Sequence, residues 1–403
     1  MNPRPRLLIL LNRLAIGGPA VNTLALASAL SNDFEILLVA GAPQPHEQSA
    51  AHLLAQHRGF TVAMLPSMKR SILPLSDWQA YRSIRATIQR FQPQIVHTHG
   101  TKPGVVGRLA AASCGVPVIV HTFHGHIFRG YFPAPVSAAV VALERWLATK
   151  STALIAINEQ LRSDLVQRFR IAPASKVVLN RLGIDWQLFQ DADGAMRTSF
   201  RQQLGVQDAD VVVASIGRLV PIKNLGLFID LIVAVQQQLP QICRFLVVGD
   251  GEERQRLQQR LQQAGIGFTT IDAASDSNQP VIFTSWRTDM NRVMAGIDLL
   301  ILTSLNEGTP VSVMEALAAA KPVVSTPVGG VPELLAAAGG GKTGQTVDDL
   351  VKLLLQWVQN APARKAVGAT GATYIQKHLS IENQVVELSL IYKRLLESQA
   401  AVS

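Results

Sequence analysis

The stretch VVVASIGRLVPIKN, Val211 to Asn224, decides the fold. Six residues without a charge, rich in Val and Ile, run into Gly217. Two cations, Arg218 and Lys223, follow before a helix-period segment begins. A short run suited to burial on both faces and closed by glycine is the pattern of a central strand in a parallel sheet. It is also a restart. Upstream, LLILL (7–11), EILLVA (35–40), QIVHTH (94–99), PVIVHT (117–122), ALIAIN (153–158) and KVVLN (176–180) each lead into a Gly/Pro-rich break. Downstream, CRFLVVG (243–249), PVIFTS (280–285), DLLILTS (298–304) and PVVST (322–326) repeat the theme. Parallel strands need helical crossovers, so two such series predict α/β architecture with two doubly wound, Rossmann-like parallel-sheet domains. The break falls in NRLGIDWQLFQDADG (180–194), which gives an N-terminal domain over 1–185 and a C-terminal domain over 186–380. A final helix, about 381–398 within 381–403, can pack back on the N-terminal domain.

Size and composition agree. A chain of 403 residues exceeds what one core serves, and 48% hydrophobic with 16% charged residues describes a folded globular protein. No apolar run reaches the roughly 18 residues that cross a bilayer. The start, MNPRPRLLILLNRL, is read as a buried first strand, because Asn12 and Arg13 interrupt it where a signal peptide would continue. Cys114 and Cys243, far apart and without a CxxC pattern, favour a reducing compartment. Cytoplasmic placement, with peripheral contact at the inner face of the cell membrane, is the expectation.

Charge is uneven. Residues 1–190 hold 19 Lys+Arg against 8 Asp+Glu, and eight of the nine histidines. A basic half suits a phosphate-bearing substrate or an anionic membrane. Nucleic acid is disfavoured, since aromatics are only 5% and no nucleic-acid-binding motif is present.

The chemistry-bearing motifs follow strands, where ligands of open α/β sheets bind. Arg218 and Lys223, beside free backbone N–H groups, suit a diphosphate; the plainer reading is two solvated charges. In TSLNEGTPVSVMEALA, Pro310 is expected as the first helical residue, leaving the N–H groups of Val311 and its neighbours aimed at the strand-end crevice. Glu307 falls in the preceding loop and Glu315 on the second turn. Eight residues at helical rise span about 12 Å, against roughly 5–9.5 Å for a glycosidase carboxyl pair. The spacing weakens a glycosidase reading without excluding it, and two polar anchors around a diphosphate fit better.

In the first domain Gly17-Gly18 forms a turn that backbone could use to approach a ligand, a weak signal by itself. His97/His99 and His124/His126 are HxH pairs of the kind zinc hydrolases use, although a histidine bonding substrate or backbone is the commoner outcome. AAAGGGKTGQ (336–345) imitates a P-loop, but Ala336 stands where that motif needs glycine; a flexible loop is expected, including Gly339 to Gly344. YFPAPVSAAVVALERWLATK (131–150) reads either as a helix on a membrane surface or as one covering the first sheet.

GRLVPIKN, LVVGDGEER, FTSWRTDM, NEGTPVSVMEALAAAKPVVSTPVGGVPELL and the N-terminal NRLAIGGPA together resemble, in the family's order, the retaining family-4 glycosyltransferases of GT-B fold. The resemblance covers nearly the whole chain and implies two domains facing a central cleft. HTHGTKPGVVGRLAA…HTFHGHIF resembles the members that build bacterial polysaccharides, O-antigens or capsules. The resemblance implies that Arg218 and Lys223 hold the donor diphosphate, that Glu315 binds the ribose hydroxyls and that Glu307 contacts the donor sugar. Gly308, Thr309, Pro310 and Val311 would offer backbone to sugar and phosphate, and His124 would touch the sugar near the reacting carbon. Gly17 and Gly18 would approach the diphosphate and acceptor, with the GDG turn (Gly249, Asp250, Gly251) and Trp286-Arg287 near the base. It implies a nucleotide-sugar donor, UDP-linked by expectation, with no cofactor and no divalent metal. The acceptor would be a glycan or a polyprenyl-diphosphate-linked one. An epimerase or hydrolase using the same cleft, and a non-catalytic sugar-nucleotide-binding subunit, remain open on these residues. The segment GGVPELLAAAGGGKTGQTVDDL departs from the family by being shortened and Gly-rich, which puts the local sheet edge in doubt.

Overall fold

The computed structural model describes residues 4–44, 47–69, 73–125, 128, 133–239, 243–274 and 278–401. The chain divides into two units, residues 1–183 with 381–403, and residues 184–380. The division at 183/184, two residues before the expected 185/186, follows from Ile184, which bridges Ser380 and donates its N–H to the Leu379 carbonyl.

The first unit holds seven strands: β1 (Arg6–Leu11), β2 (Glu35–Ala40), β3 (Thr61–Met64), β4 (Ile95–His99), β5 (Val118–Phe123), β6 (Ala153–Ala156) and β7 (Val177–Leu179). Their order is β3-β2-β1-β4-β5-β6-β7 and every pair is parallel. The main helices are α1 (Gly18–Leu30), α2 (Pro74–Phe91), α3 (Thr101–Ser113), α4 (Ala134–Thr149) and the short α5 (Glu159–Ser163). Alternation along β1 sends Leu8 and Leu10 to one face, against Ile84 and Ile88 of α2 and Val106 and Ala110 of α3. Leu7, Ile9 and Leu11 meet Leu24 and Ala27 of α1 on the other. Two ion pairs stitch the first layer together: Lys102 Nζ to Asp77 Oδ1, 2.5 Å, and Arg108 Nη2 to Glu144 Oε2, 2.6 Å.

In the second unit lie β8 (Val211–Ile216), β9 (Cys243–Val248), β10 (Phe268–Thr270), β11 (Val281–Ser285), β12 (Leu299–Leu302), β13 (Val323–Ser325) and β14 (Gly341–Thr343). They are ordered β10-β11-β9-β8-β12-β13-β14, again all parallel. The helices are α6 (Ala195–Gln203), α7 (Leu225–Gln238), α8 (Arg254–Gln263), α9 (Met290–Gly296), α10 (Val311–Ala318), α11 (Val331–Ala338), α12 (Val347–Gln359) and α13 (Ala361–His378). Phe228, Ile232, Phe245, Phe283 and Trp357 fill one side of that sheet.

The chain then returns to the first unit as α14 (Ile381–Ala400). Gln384 holds it there, its Oε1 accepting from Asn22 Nδ2 at 2.7 Å and from the Gly183 N–H at 2.8 Å. Tyr392 is wholly buried, edge-on to Phe34 at 5.5 Å.

Two expectations need correction. Residues 341–343 form a parallel edge strand on β13, where a flexible loop and a doubtful sheet edge were expected. The glycines serve close packing: a Cβ on Gly341 would stand 2.3 Å from the Val323 carbonyl oxygen. Pro310 caps α10 with φ −72° and ψ 122° and so stands one residue before the helix it was expected to begin.

Removing one member of a buried ion pair strands the other. Glu144→Ala should destabilise the chain by about 3–5 kcal/mol in urea unfolding, and the double change Arg108→Met/Glu144→Leu should recover most of that loss. Equal losses in the single and double variants would show that the pair does not tie α3 to α4.

Candidate functional site

Parallel sheets offer ligand sites where neighbouring strands send their chains in opposite directions. In the second unit that point lies between β8 and β12. After β8 comes Gly217, whose N–H donates to the Val248 carbonyl, then Arg218 and a single 3-10 turn, Pro221–Lys223. After β12 come Thr303, Ser304 and Glu307. The two loops lock together. Leu305 N–H donates to the Ile222 carbonyl at 2.9 Å and Thr303 Oγ1 to the Lys223 carbonyl at 3.1 Å. Across them Lys223 Nζ meets Glu307 Oε1 at 2.5 Å, and Ser304 Oγ donates to the same oxygen at 2.6 Å. Lys223 and Glu307, set 84 positions apart in sequence, are thus one bonded pair at the switch point.

Glu307 leads into Gly308, whose carbonyl accepts from the Gly330 N–H at 2.8 Å, then Thr309 and the capping Pro310. No side chain caps α10; the Val313 N–H donates to the Pro310 carbonyl at 3.1 Å, and the N–H groups of Val311 and Ser312 keep their donor capacity at the strand-end edge. On the second turn, Glu315 has no donor bonded to its carboxyl among the described residues, and burial pushes its pKa up to about 8.

A second turn adjoins the pair. Gly249 ends β9 at φ 123°, and a Cβ there would stand 2.0 Å from the Gly217 carbonyl oxygen, so only glycine lets the two turns meet. Burial would raise the pKa of neighbouring Asp250. Hydrogen bonds from Ser285 Oγ (2.7 Å), the Gly251 N–H (2.8 Å) and Arg254 (2.6 Å) outweigh it and hold the carboxyl below its usual range. Ser285 itself sits at φ 58°, strained backbone for a non-glycine residue, just before half-buried Trp286. Arg287, expected beside Trp286, is taken up by Asp289 at 2.5 Å. Asp250 belongs to the GDG turn that the family resemblance puts near the base, whereas for Ser285 and Ser304 the polar ending of each strand run is the only hint in the sequence.

In the first unit the corresponding point lies between β1 and β4. Gly17 precedes α1, which starts at Gly18, and a Cβ on Gly17 would meet nothing within 4 Å. The fold itself therefore does not demand glycine there. β4 and β5 contribute a histidine cluster. His97 bonds Tyr392 Oη through Nδ1 (2.5 Å) and Thr122 Oγ1 through Nε2 (2.7 Å). His121 Nδ1 lies 2.8 Å from Thr98 Oγ1, and His99 Nδ1 lies 2.9 Å from His124 Nε2. His126 lies outside the described residues. Burial depresses every ring's pKa, His97 to about 3 and His124 to about 4, with His99 and His121 well below their ordinary value. For His121 the positive charge of Arg108 adds to the effect. Among the described residues no three His, Cys, Asp or Glu side chains converge so as to hold a metal ion.

Two seven-stranded, all-parallel sheets are the architecture of the GT-B glycosyltransferases whose solved structures superpose on this chain. Residues 17–183 match the glycosyl transferase 4-like domain and residues 210–360 the group 1 glycosyl transferases, and the chain belongs to that family. It is similar to the UDP-Gal:alpha-D-GlcNAc-diphosphoundecaprenol alpha-1,3-galactosyltransferase of Escherichia coli, 26% identical over 74% of this chain and 75% of that one. It also resembles the D-inositol 3-phosphate glycosyltransferase of Mycobacterium sp. (strain KMS), 30% identical over 63% of this chain and 55% of that protein. Among solved structures, HepE of Anabaena in complex with UDP and glucose superposes with a TM-score of 0.78 at 20% identity, covering 96% of this chain and 99% of that one. Sucrose-phosphate synthase of Thermosynechococcus elongatus gives 0.78 at 17% identity, over 98% and 100%. No helix among the described residues is long and apolar enough to cross a membrane.

The pKa shifts carry opposite signs for stability. The unfolded chain takes up protons near pH 6.5 that the buried histidines refuse, so their contribution is full above that pH. It is lost as pH falls toward 4 and 3. Urea midpoints should fall between pH 7 and pH 5, by up to about 2 kcal/mol per ring, and His121→Asn should shallow that slope. Identical slopes in variant and parent would refute the assignment. Glu315 acts the other way: the folded chain keeps a proton that the unfolded chain loses near pH 4.5, so stability declines as pH rises from there through about 8. Glu315→Gln should unfold later than the parent at pH 8 and no later at pH 4. A variant no more stable at pH 8 would count against a half-buried carboxyl that no internal donor holds ionised.

Proposed function

We propose that this glycosyltransferase is a retaining enzyme that moves a hexose from a UDP-sugar to a polyprenyl-diphosphate-linked or glycan acceptor in cell-surface polysaccharide synthesis. The observation that carries the reading is the Lys223–Glu307 pair at the switch point of the second sheet, beside the uncapped start of α10. The activity of the Escherichia coli relative favours the same donor and acceptor classes, and the UDP in the Anabaena complex favours the same donor class.

The chemistry suits those groups. Breaking the bond from sugar C1 to phosphate oxygen builds oxocarbenium character on the sugar and negative charge on the diphosphate. Arg218, Lys223 and the N–H groups of Gly308 to Val311 can stabilise that departing charge, without calling on a divalent metal. Lys223 is already oriented by Glu307, so little reorganisation is needed when a diphosphate arrives. In the retaining route the acceptor oxygen bonds C1 on the face the phosphate leaves, and its proton passes to the leaving phosphate oxygen. Glu307 then takes a sugar hydroxyl and Glu315, with no internal donor, takes the ribose hydroxyls. His124 uses Nε2 toward His99 and keeps Nδ1 for the sugar, as a neutral ring. From the family resemblance, Gly17 and Gly18 are assigned to the diphosphate, and Gly249 and Trp286 to the base.

UDP should raise the melting temperature while GDP and ADP do not, because a ligand that binds only the folded state stabilises it. Lys223→Ala should abolish that shift and cut sugar transfer by about a hundredfold or more. Glu307→Gln should keep the shift and weaken transfer without abolishing it, since no nucleophile is lost. Normal transfer by Lys223→Ala would sink the proposal, and a product of inverted anomeric configuration would sink the retaining route.

A further inference from the structure

The outward faces of α2 and α4 are apolar where they meet solvent. Along α2, Leu75, Trp78 and Arg82 recur at helical spacing on the exposed side, with Leu75 80% and Trp78 56% exposed. On α4 no charge occurs from Ala134 to Leu143, and Val136, Leu143 and Trp146 all face outward, Trp146 at 49%. Both helices flank α3, and the Lys102–Asp77 and Arg108–Glu144 pairs hold the three as a layer.

Those pairs also decide the charge of the face. Asp77 is the only acid of α2, Glu144 the only acid of α4, and α3 has none. With both acids tied inward, the exposed charges of the layer are basic: Arg82, Arg90, Arg145 and, just past α4, Lys150. Two of these cations lie over the exposed indoles, Arg82 at 4.8 Å from the Trp78 ring centre and Lys150 at 5.9 Å from that of Trp146. An aromatic ring with a cation over it is suited to the headgroup level of a bilayer, where the ring enters the acyl boundary and the charge meets phosphate.

We propose that the α2–α4 face is a docking surface for an anionic bilayer. Leu75, Trp78, Leu143 and Trp146 enter the interface, and Arg82 and Lys150 meet lipid phosphates. A second copy of the chain is the poorer occupant, because a two-fold contact through this face would set cations against cations. The inference is independent of the transferase reaction, since membrane binding is read with no donor or acceptor present.

The test is sedimentation of the full chain with vesicles of phosphatidylcholine alone, and of three parts phosphatidylcholine to one of phosphatidylglycerol, at low and high salt. The chain should bind the anionic vesicles, and bind them less at high salt. Trp78→Ser/Trp146→Ser should weaken binding by about tenfold or more. Arg82→Gln/Lys150→Gln should weaken it by about fivefold per charge. Circular dichroism and the urea midpoint keep misfolded variants from counting as support. The proposal falls if neutral and anionic vesicles bind equally well, if folded variants bind like the parent, or if no vesicle binds. A dimer that dissociates in the folded Trp78→Ser/Trp146→Ser variant, with no vesicle binding by the parent, would give the face to a second copy and also overturn it.

Discussion

A parallel strand can be joined to its neighbour only by a crossover, so every strand of a parallel sheet points its carboxyl end to the same edge. Each unit obeys that constraint with seven parallel strands. It separates two jobs along each strand. The strand itself supplies apolar residues buried on both faces, as in Val211–Ile216, and the next few residues supply chemistry. Gly17, His124, Gly217, Gly249, Ser285 and Glu307 all lie at or just after a strand's end. Where crossovers depart in opposite directions, between β1 and β4 and between β8 and β12, no connection roofs the edge, and a ligand can reach it.

This separation explains what could be read from residues alone. Eleven strands announced themselves because they lie in the sheet interior or carry uninterrupted Val, Ile and Leu. The three that did not are β3, β10 and β14, all edge strands with polar or small residues: TVAM, FTT and GKT. An edge strand buries little, so burial leaves little trace in its sequence. Placement of Lys223 near Glu307 was legible only through the family pattern, since nothing in two local motifs states that β8 and β12 are neighbours. Ser285 was less visible still, because its bond to Asp250 depends on how β9 and β11 pair. Pro310 missed by one residue for a local reason: its ψ of 122° is that of a cap.

The histidine pairs show the limit of reading spacing as chemistry. An HxH pair on a strand puts two rings on one face, and His97 and His99 do lie side by side, their ring centres 4.1 Å apart and their planes tilted by 41°. What spacing cannot tell is what those rings meet. His97 meets Thr122 and Tyr392, the latter arriving from α14 almost three hundred positions later. His99 meets His124. The His99–His124 contact joins two ring nitrogens, so one must accept, which a doubly protonated ring cannot do; the hydroxyls on His97 can donate or accept. Burial enforces that neutral form, and the C-terminal helix completes it.

The charged pairs of the second unit divide along the same axis as the strands. Arg201 is fully buried and bonds Asp298 at 3.1 Å, the Gly296 carbonyl at 3.2 Å and the Asp210 carbonyl at 2.7 Å. Asp298 also accepts from the Val212 N–H. Both acids precede their strands, so this network seals the amino edge, where α6 closes over β8 and β12. Lys223–Glu307 stands at the opposite, carboxyl edge and keeps 20% and 12% of its two side chains in contact with solvent. An apolar pair of similar size would cost less to bury in either place. What separates the two is their partners: Arg201 and Asp298 also bond the backbone at Gly296, Asp210 and Val212 and so tie strand starts to α6, whereas Lys223 and Glu307 bond each other and Ser304. The second pair makes physical sense as a charge held in position for a ligand, at the one edge of the sheet where a ligand has access.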